Sequence, residues 1–198
     1  LKLRRVSAEA AGWGEARVGP WTRHERRVGY RNPWITVWHD DVTRPDGQPG
    51  IYGVVHFENS AVGVVAIDDH DRVVLVGQHR YAFDEVSWEI PEGGSPSNED
   101  PLEGARRELL EETGLTAGTW REIGRWQLSN SVTDEAAVAY LATDLEQGEA
   151  RPEGSEQLEV RWIPFDEVMV MVRSGELTDA LSVLPLQALA LERARHPD

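Results

Sequence analysis

Three carboxylates, Glu108, Glu111 and Glu112, crowd the end of the stretch GGSPSNEDPLEGARRELLEETGL, which runs from Gly93 to Leu115. On a helix turning about 100° per residue they share roughly one third of the circumference, where like charges repel. Such a face is either a solvated acidic surface or a seat for a hard divalent cation, whose ligands are oxygens. Two features favour the cation. Acids at the C-terminal end of a helix oppose its dipole and need a compensating positive charge. The glycines at 93 and 94 predict a tight turn that brings backbone carbonyls close to the acids.

The elements that must position these acids are written in the same stretch. Pro101 suits the first helical turn, with Asn98 or Asp100 as cap, and Gly114 suits the C-terminal stop. Leu102 and Leu109 point away from the acids and can anchor the helix to a core. Gly104 and Ala105, one turn below the acids, are expected to leave room for something bulky and charged.

Gly93, Glu99 and the run Arg107-Glu108-Leu109-Leu110-Glu111-Glu112-Thr113-Gly114-Leu115 fill every fixed position of G-x5-E-x7-R-E-U-x-E-E-x-G-U, where U is a bulky aliphatic. The chain thereby resembles the Nudix hydrolases. That resemblance implies an α/β/α sandwich with a mixed sheet between helices. It also implies metal-dependent cleavage of a nucleoside diphosphate linked to another group. Mg²⁺ is the expected ion, with Mn²⁺ able to substitute, held by Glu108, Glu111 and Glu112. Gly93, Glu99 and Arg107 then act as structural support, the arginine orienting the acids.

Further segments resemble the ADP-ribose and nucleoside diphosphate sugar subgroup. Gln78-His79-Arg80-Tyr81 is similar to its Gln-x-Arg segment, whose arginine holds substrate phosphate; Arg80 also falls at a strand end, where ligand groups gather. Trp88-Glu89-Ile90-Pro91-Glu92-Gly93 is similar to its W-E-x-P-x-G approach. The resemblance places Glu89 near substrate and makes Glu92 a metal ligand through its main-chain carbonyl. Trp88 would flank the base, or else belong to the core. A late, mobile loop supplies the general base in these enzymes, so Glu156 is the first choice and Glu153 the second. Glu135 follows, as a base or a substrate contact. One departure from the ADP-ribose pattern is Ser129-Asn130-Ser131 where a Ser-Pro-Gly loop is usual, which leaves GDP-mannose or another sugar nucleotide open.

Along the chain, residues 1–58 read as an arginine-rich arm, irregular or forming a short edge strand, followed by a β-hairpin over 34–38 and 51–57 with its turn at 44–47. By the same family likeness this small β subdomain is a homodimer contact. Residues 59–198 form the expected catalytic domain. Apolar runs at 61–67 and 73–76 predict strands buried on both faces. Further strands are expected near 87–91, 120–128, 136–142 and 158–163. Helices are expected at 166–173 and from 178, the latter kinked or restarted near Pro185.

Composition limits the alternatives. The 198 residues carry a net charge of −15, which argues against a general nucleic-acid binder. Residues 1–32 alone are +5, with eight Lys or Arg against three acids. No apolar run approaches the roughly 18 residues of a membrane span, and no secretory segment is evident, so a cytoplasmic setting without membrane contact is expected. The chain has no cysteine, which removes thiolate chemistry and with it an isopentenyl-diphosphate isomerase reading. A catalytically silent nucleotide sensor is the rival from another class. The intact acid constellation favours an enzyme acting on a small nucleotide-sugar substrate.

Overall fold

The computed structural model describes residues 14–149 and 158–195. The chain divides into two compact units. One runs to Asn59 and also takes Gln127–Ala136, and the other comprises Ser60–Trp126 and the chain from Ala137 onward.

The first unit is an antiparallel sheet in the order β1 (Ala16–Val18), β2 (Trp21–Arg31), β3 (Ile35–Thr43) and β4 (Pro49–Phe57). Strand β3 alternates strictly between buried and half-buried residues, as one covered face requires. The expected irregular arm or edge strand is replaced by β2, an eleven-residue inner strand. Its charged sequence hides the strand because the pairing partners are acids on β3. Arg26 forks onto Asp40 with two 2.7 Å bonds, and its guanidinium lies 4.0 Å above the Trp38 ring.

The outer edge of β4 is covered by residues 131–134. The Val55 N–H donates to Val132 O at 2.8 Å, Tyr52 Oη donates to Ser131 O at 2.6 Å, and Asp134 binds both His56 Nδ1 and the Phe57 N–H. A covered edge leaves fewer unpaired backbone groups.

In the second unit, β5 (Asn59–Ala66), β6 (Arg72–Arg80), β7 (Glu85–Glu89), β8 (Glu92–Pro96), β9 (Leu115–Gln127), β10 (Ala136–Gln147) and β11 (Glu159–Pro164) form two sheets. The expected α/β layering holds, with its strands arranged in two sheets. A four-stranded sheet runs β8-β5-β10-β9, with β5 and β10 parallel, and an antiparallel one runs β11-β6-β7. Helices α1 (Pro101–Thr113), α2 (Phe165–Ser174) and α3 (Ala180–Arg195) cover them.

Alternate residues of β5 and β6 enter opposite cores, which explains their continuous apolar runs. Val62, Val64 and Val74 pack with Ala105 and Leu109 of α1, whereas Val65, Val73 and Leu75 pack with Val168 of α2 and Leu186 of α3. Helix α3 is continuous through the buried Pro185, so no restart occurs there. Among the described residues no helix is long and apolar enough to cross a membrane.

Candidate active site

Helix α1 is fixed at both ends. The Asp100 side chain accepts the Leu102 N–H at 2.9 Å, Pro101 occupies the first turn, and Gly114 closes the helix at φ 74°, a left-handed conformation that suits glycine. Leu102, Ala105 and Leu109 dock into the core, turning the acids toward β8. The expected glycine turn is in fact this strand. Gly93 does not take a left-handed conformation; it is needed for space. A Cβ at Gly93 would lie 2.2 Å from Glu108 Cδ. Gly104 likewise makes room for the strand rather than for a ligand, since a Cβ there would meet Ser95 Cβ at 2.7 Å.

Arg107 gathers this region. It donates to Glu108 Oε1 at 2.7 Å, Glu111 Oε2 at 3.1 Å, Gly94 O at 2.8 Å and both oxygens of Glu99 at 3.2–3.3 Å. Its bonds to Glu99 and Glu108 hold the guanidinium pKa above its ordinary value against partial burial, and the same contact lowers that of Glu99. Glu112 is 4% exposed and accepts the Glu92 N–H at 3.1 Å. The three box acids thus face the start of β8, two of them through Arg107 and one through the β8 main chain.

Next to the box lies a second charged cluster. Arg80, at the end of β6, donates from Nε to Glu89 Oε1 at 2.9 Å and from Nη2 to Glu89 Oε2 and to Glu92 Oε1, the latter at 3.0 Å. Gln78 Nε2 also reaches Glu89 Oε2, at 3.4 Å. Glu89 is 2% exposed, whereas the Arg80 side chain retains 38% exposure, and Arg80 Nη1 makes no hydrogen bond among the described residues. Burial opposes the charge on Arg80, but its bonds to Glu89 outweigh that and raise its pKa. Burial, with Asp179 and Glu89 nearby, pushes the Glu92 carboxyl well up despite Arg80. Glu92 Oε2 is buried with no hydrogen-bond partner among the described residues.

Asp179 is the residue that the sequence reading passed over. One oxygen from each of Glu89, Glu92 and Asp179 lies within 4.8 Å of the others, the one such trio of potential ligands among the described residues. The available signal was an N-cap pattern, an aspartate just before the apolar run of α3.

Trp88 lies on the opposite face of β7 from Glu89, paired with Gly77, with Arg161 4.2 Å above its ring. Glu135 belongs to the first unit, within Gln127–Ala136. Glu153 and Glu156 lie outside the described residues.

The box residues fit a hard divalent cation. Every donor is an oxygen, and the absence of a side chain at Gly93 lets the Glu108 carboxylate approach the β8 main chain. Glu108, Glu111, Glu112 and the Glu92 carbonyl are the groups that would hold it.

Residues 58–184 match the NUDIX domain, and residues 21–55 match the nucleoside diphosphate sugar hydrolase N-terminal domain. The chain belongs to the Nudix hydrolase family, with a mixed α/β Nudix fold preceded by an antiparallel sheet. It is 31% identical over 176 residues to a CMP-5'-(N-acetyl-N-hydroxy-3-aminopropyl)phosphonate hydrolase of Streptomyces rubellomurinus, covering 88% of this chain and 85% of the relative. It is 32% identical over 162 residues to an ADP-ribose pyrophosphatase of Bacillus subtilis, covering 81% of this chain and 87% of that enzyme. A crystal structure of an ADP compounds hydrolase matches the fold with a TM-score of 0.81 at 20% identity, over 92% of this chain and 98% of the other.

Proposed function

We propose that the protein hydrolyses the pyrophosphate bond of a nucleoside diphosphate sugar, ADP-ribose being favoured, to give a nucleoside monophosphate and a sugar phosphate. The observation that carries this reading is Arg80. Its Nε and Nη2 are tied to Glu89 and Glu92, while its partly exposed guanidinium keeps Nη1 for an anionic oxygen beside the box acids. Such a pre-oriented fork suits phosphate.

Glu89 orients Arg80. Glu108, Glu111, Glu112 and the Glu92 carbonyl hold Mg²⁺, for which Mn²⁺ can substitute, and Arg107 with Glu99 keeps the box acids in place. When bound, the metal supplies neutralisation of the pyrophosphate and acidification of water. A carboxylate of the 150–157 segment takes the proton of the attacking water, with Glu156 first and Glu153 second. The protein works in the cytoplasm as a homodimer contacting through the N-terminal sheet, a reading supported by the exposed Tyr30, Trp34 and Ile51 of the first unit.

The test is a panel of ADP-ribose, GDP-mannose and UDP-glucose, with diadenosine polyphosphate and CoA as outsiders. Each is assayed with Mg²⁺ by phosphatase-coupled phosphate release. The highest kcat/KM is expected for ADP-ribose. A lead for GDP-mannose would change the base and sugar, and a blank across the panel would favour a nucleotide sensor.

A further inference from the structure

The first turn of α3 touches the segment that joins Arg80 to the box. Ser182, fully buried, accepts the Ile90 N–H on its Oγ at 2.9 Å. Asp179 caps the same helix, its Oδ2 accepting the Ser182 N–H at 2.7 Å and its main-chain oxygen accepting the Val183 N–H at 2.9 Å. From that fixed position the Asp179 carboxylate stands within 4.8 Å of ligand oxygens of Glu89 and Glu92. Pro91, inside the same segment, is held on β5 by its carbonyl, which accepts the Val64 N–H at 2.9 Å.

Residues 89–92 therefore have two tasks. Their side chains orient Arg80, and the Glu92 N–H binds Glu112 of the box. An ordinary N-cap satisfies only its own helix. This one is aimed at a neighbouring guanidinium cluster that already contains two acids, where an added carboxylate is costly unless it fixes a geometry.

We infer that Asp179 and Ser182 form a positioning clasp on residues 89–92 that sets Arg80 for the substrate's phosphate. Ser182 holds the main chain at Ile90. Asp179 limits where the Glu92 carboxyl can go, and Glu92 in turn limits Arg80 Nη2. The clasp rests on the proposed role of Arg80 in phosphate binding.

Steady-state kinetics with ADP-ribose and Mg²⁺, alongside thermal melts, tests the clasp in Asp179→Ala, Asp179→Asn, Ser182→Ala and Arg80→Lys. Asn retains the cap and its amide can hydrogen-bond to Glu92, so Asp179→Asn is expected to fold normally and keep KM near the parent value. Asp179→Ala is expected to raise KM roughly tenfold with kcat within about twofold, as loss of an orienting partner does. Ser182→Ala is expected to move KM in the same direction. A lower Tm with unchanged KM in Asp179→Ala would overturn the clasp and leave a helix cap only. If Arg80→Lys raises KM while Asp179→Ala does not, the clasp fails and the phosphate reading stands. If Arg80→Lys also leaves KM unchanged, the phosphate reading itself fails.

Discussion

The Glu92 N–H donates to Glu112 Oε2 at 3.1 Å, joining two residues twenty positions apart. This bond aims one box carboxylate at the start of β8, where the Glu92 carbonyl is the proposed fourth oxygen donor. Glu112→Gln keeps an acceptor for the N–H and removes the charge. It is expected to lower kcat with ADP-ribose by roughly 10- to 100-fold while leaving the melting curve in place. Unchanged kcat would remove Glu112 from the metal-holding set.

Gly93 is required by proximity rather than by backbone conformation. Gly93→Ala places a methyl 2.2 Å from Glu108 Cδ, so the carboxylate or the strand must shift. Overpacking of this kind costs about 1–3 kcal/mol. The Tm should fall by roughly 2–4 °C for each kcal/mol in a chain of this size. Activity should fall with it, because the displaced group is a proposed metal ligand. Thermal melts and Mg²⁺ titrations of activity together check this.

The Glu92 carboxyl has its pKa raised by burial, Asp179 and Glu89. The folded protein then binds this proton more tightly than the unfolded chain. The stability it lends is present below the ordinary carboxylate pKa and lost as pH rises through the folded value. Gln at this position can accept from Arg80 and donate to Asp179 without titrating. Glu92→Gln should therefore melt at a higher temperature than the parent at pH 8, with the difference shrinking as pH falls toward 4. A difference that is independent of pH would mean that Glu92 does not titrate in this way.

Arg107 contacts Glu99, Glu108, Glu111 and the Gly94 carbonyl together. Lysine keeps the charge but lacks the planar fork needed to reach all four. Arg107→Lys should raise the Mg²⁺ concentration needed for half-maximal activity, roughly tenfold, as expected for loss of a group that orients metal ligands. Unchanged Mg²⁺ dependence would show that the box acids hold their positions without it.

What was legible in the sequence is what short spacing determines. Asp100, Pro101 and Gly114 give the bounds of α1, and the apolar runs at 61–67 and 73–76 announce the strands buried on both faces. What was not legible depends on partners distant in the chain. Strand β2 looks like a charged arm until Asp40 and Asp41 are set opposite Arg26 and Arg27. Gly93 looks like part of a turn until the close approach of Glu108 explains it. Residues 127–136 join the first unit through bonds to β4, such as that from Tyr52 to Ser131, which no local pattern reports. Asp179 meets Glu92 from a different element, so its cap pattern marked a helix start and gave no hint of the cluster.

The most direct test of the central claim is to identify the products formed from ADP-ribose by ³¹P NMR, with Mg²⁺ and again with excess chelator. Metal-dependent conversion of the pyrophosphate signals into two phosphomonoesters, AMP and ribose phosphate, is the predicted result. Intact pyrophosphate in the presence of Mg²⁺, or equal cleavage with chelator, would contradict the account.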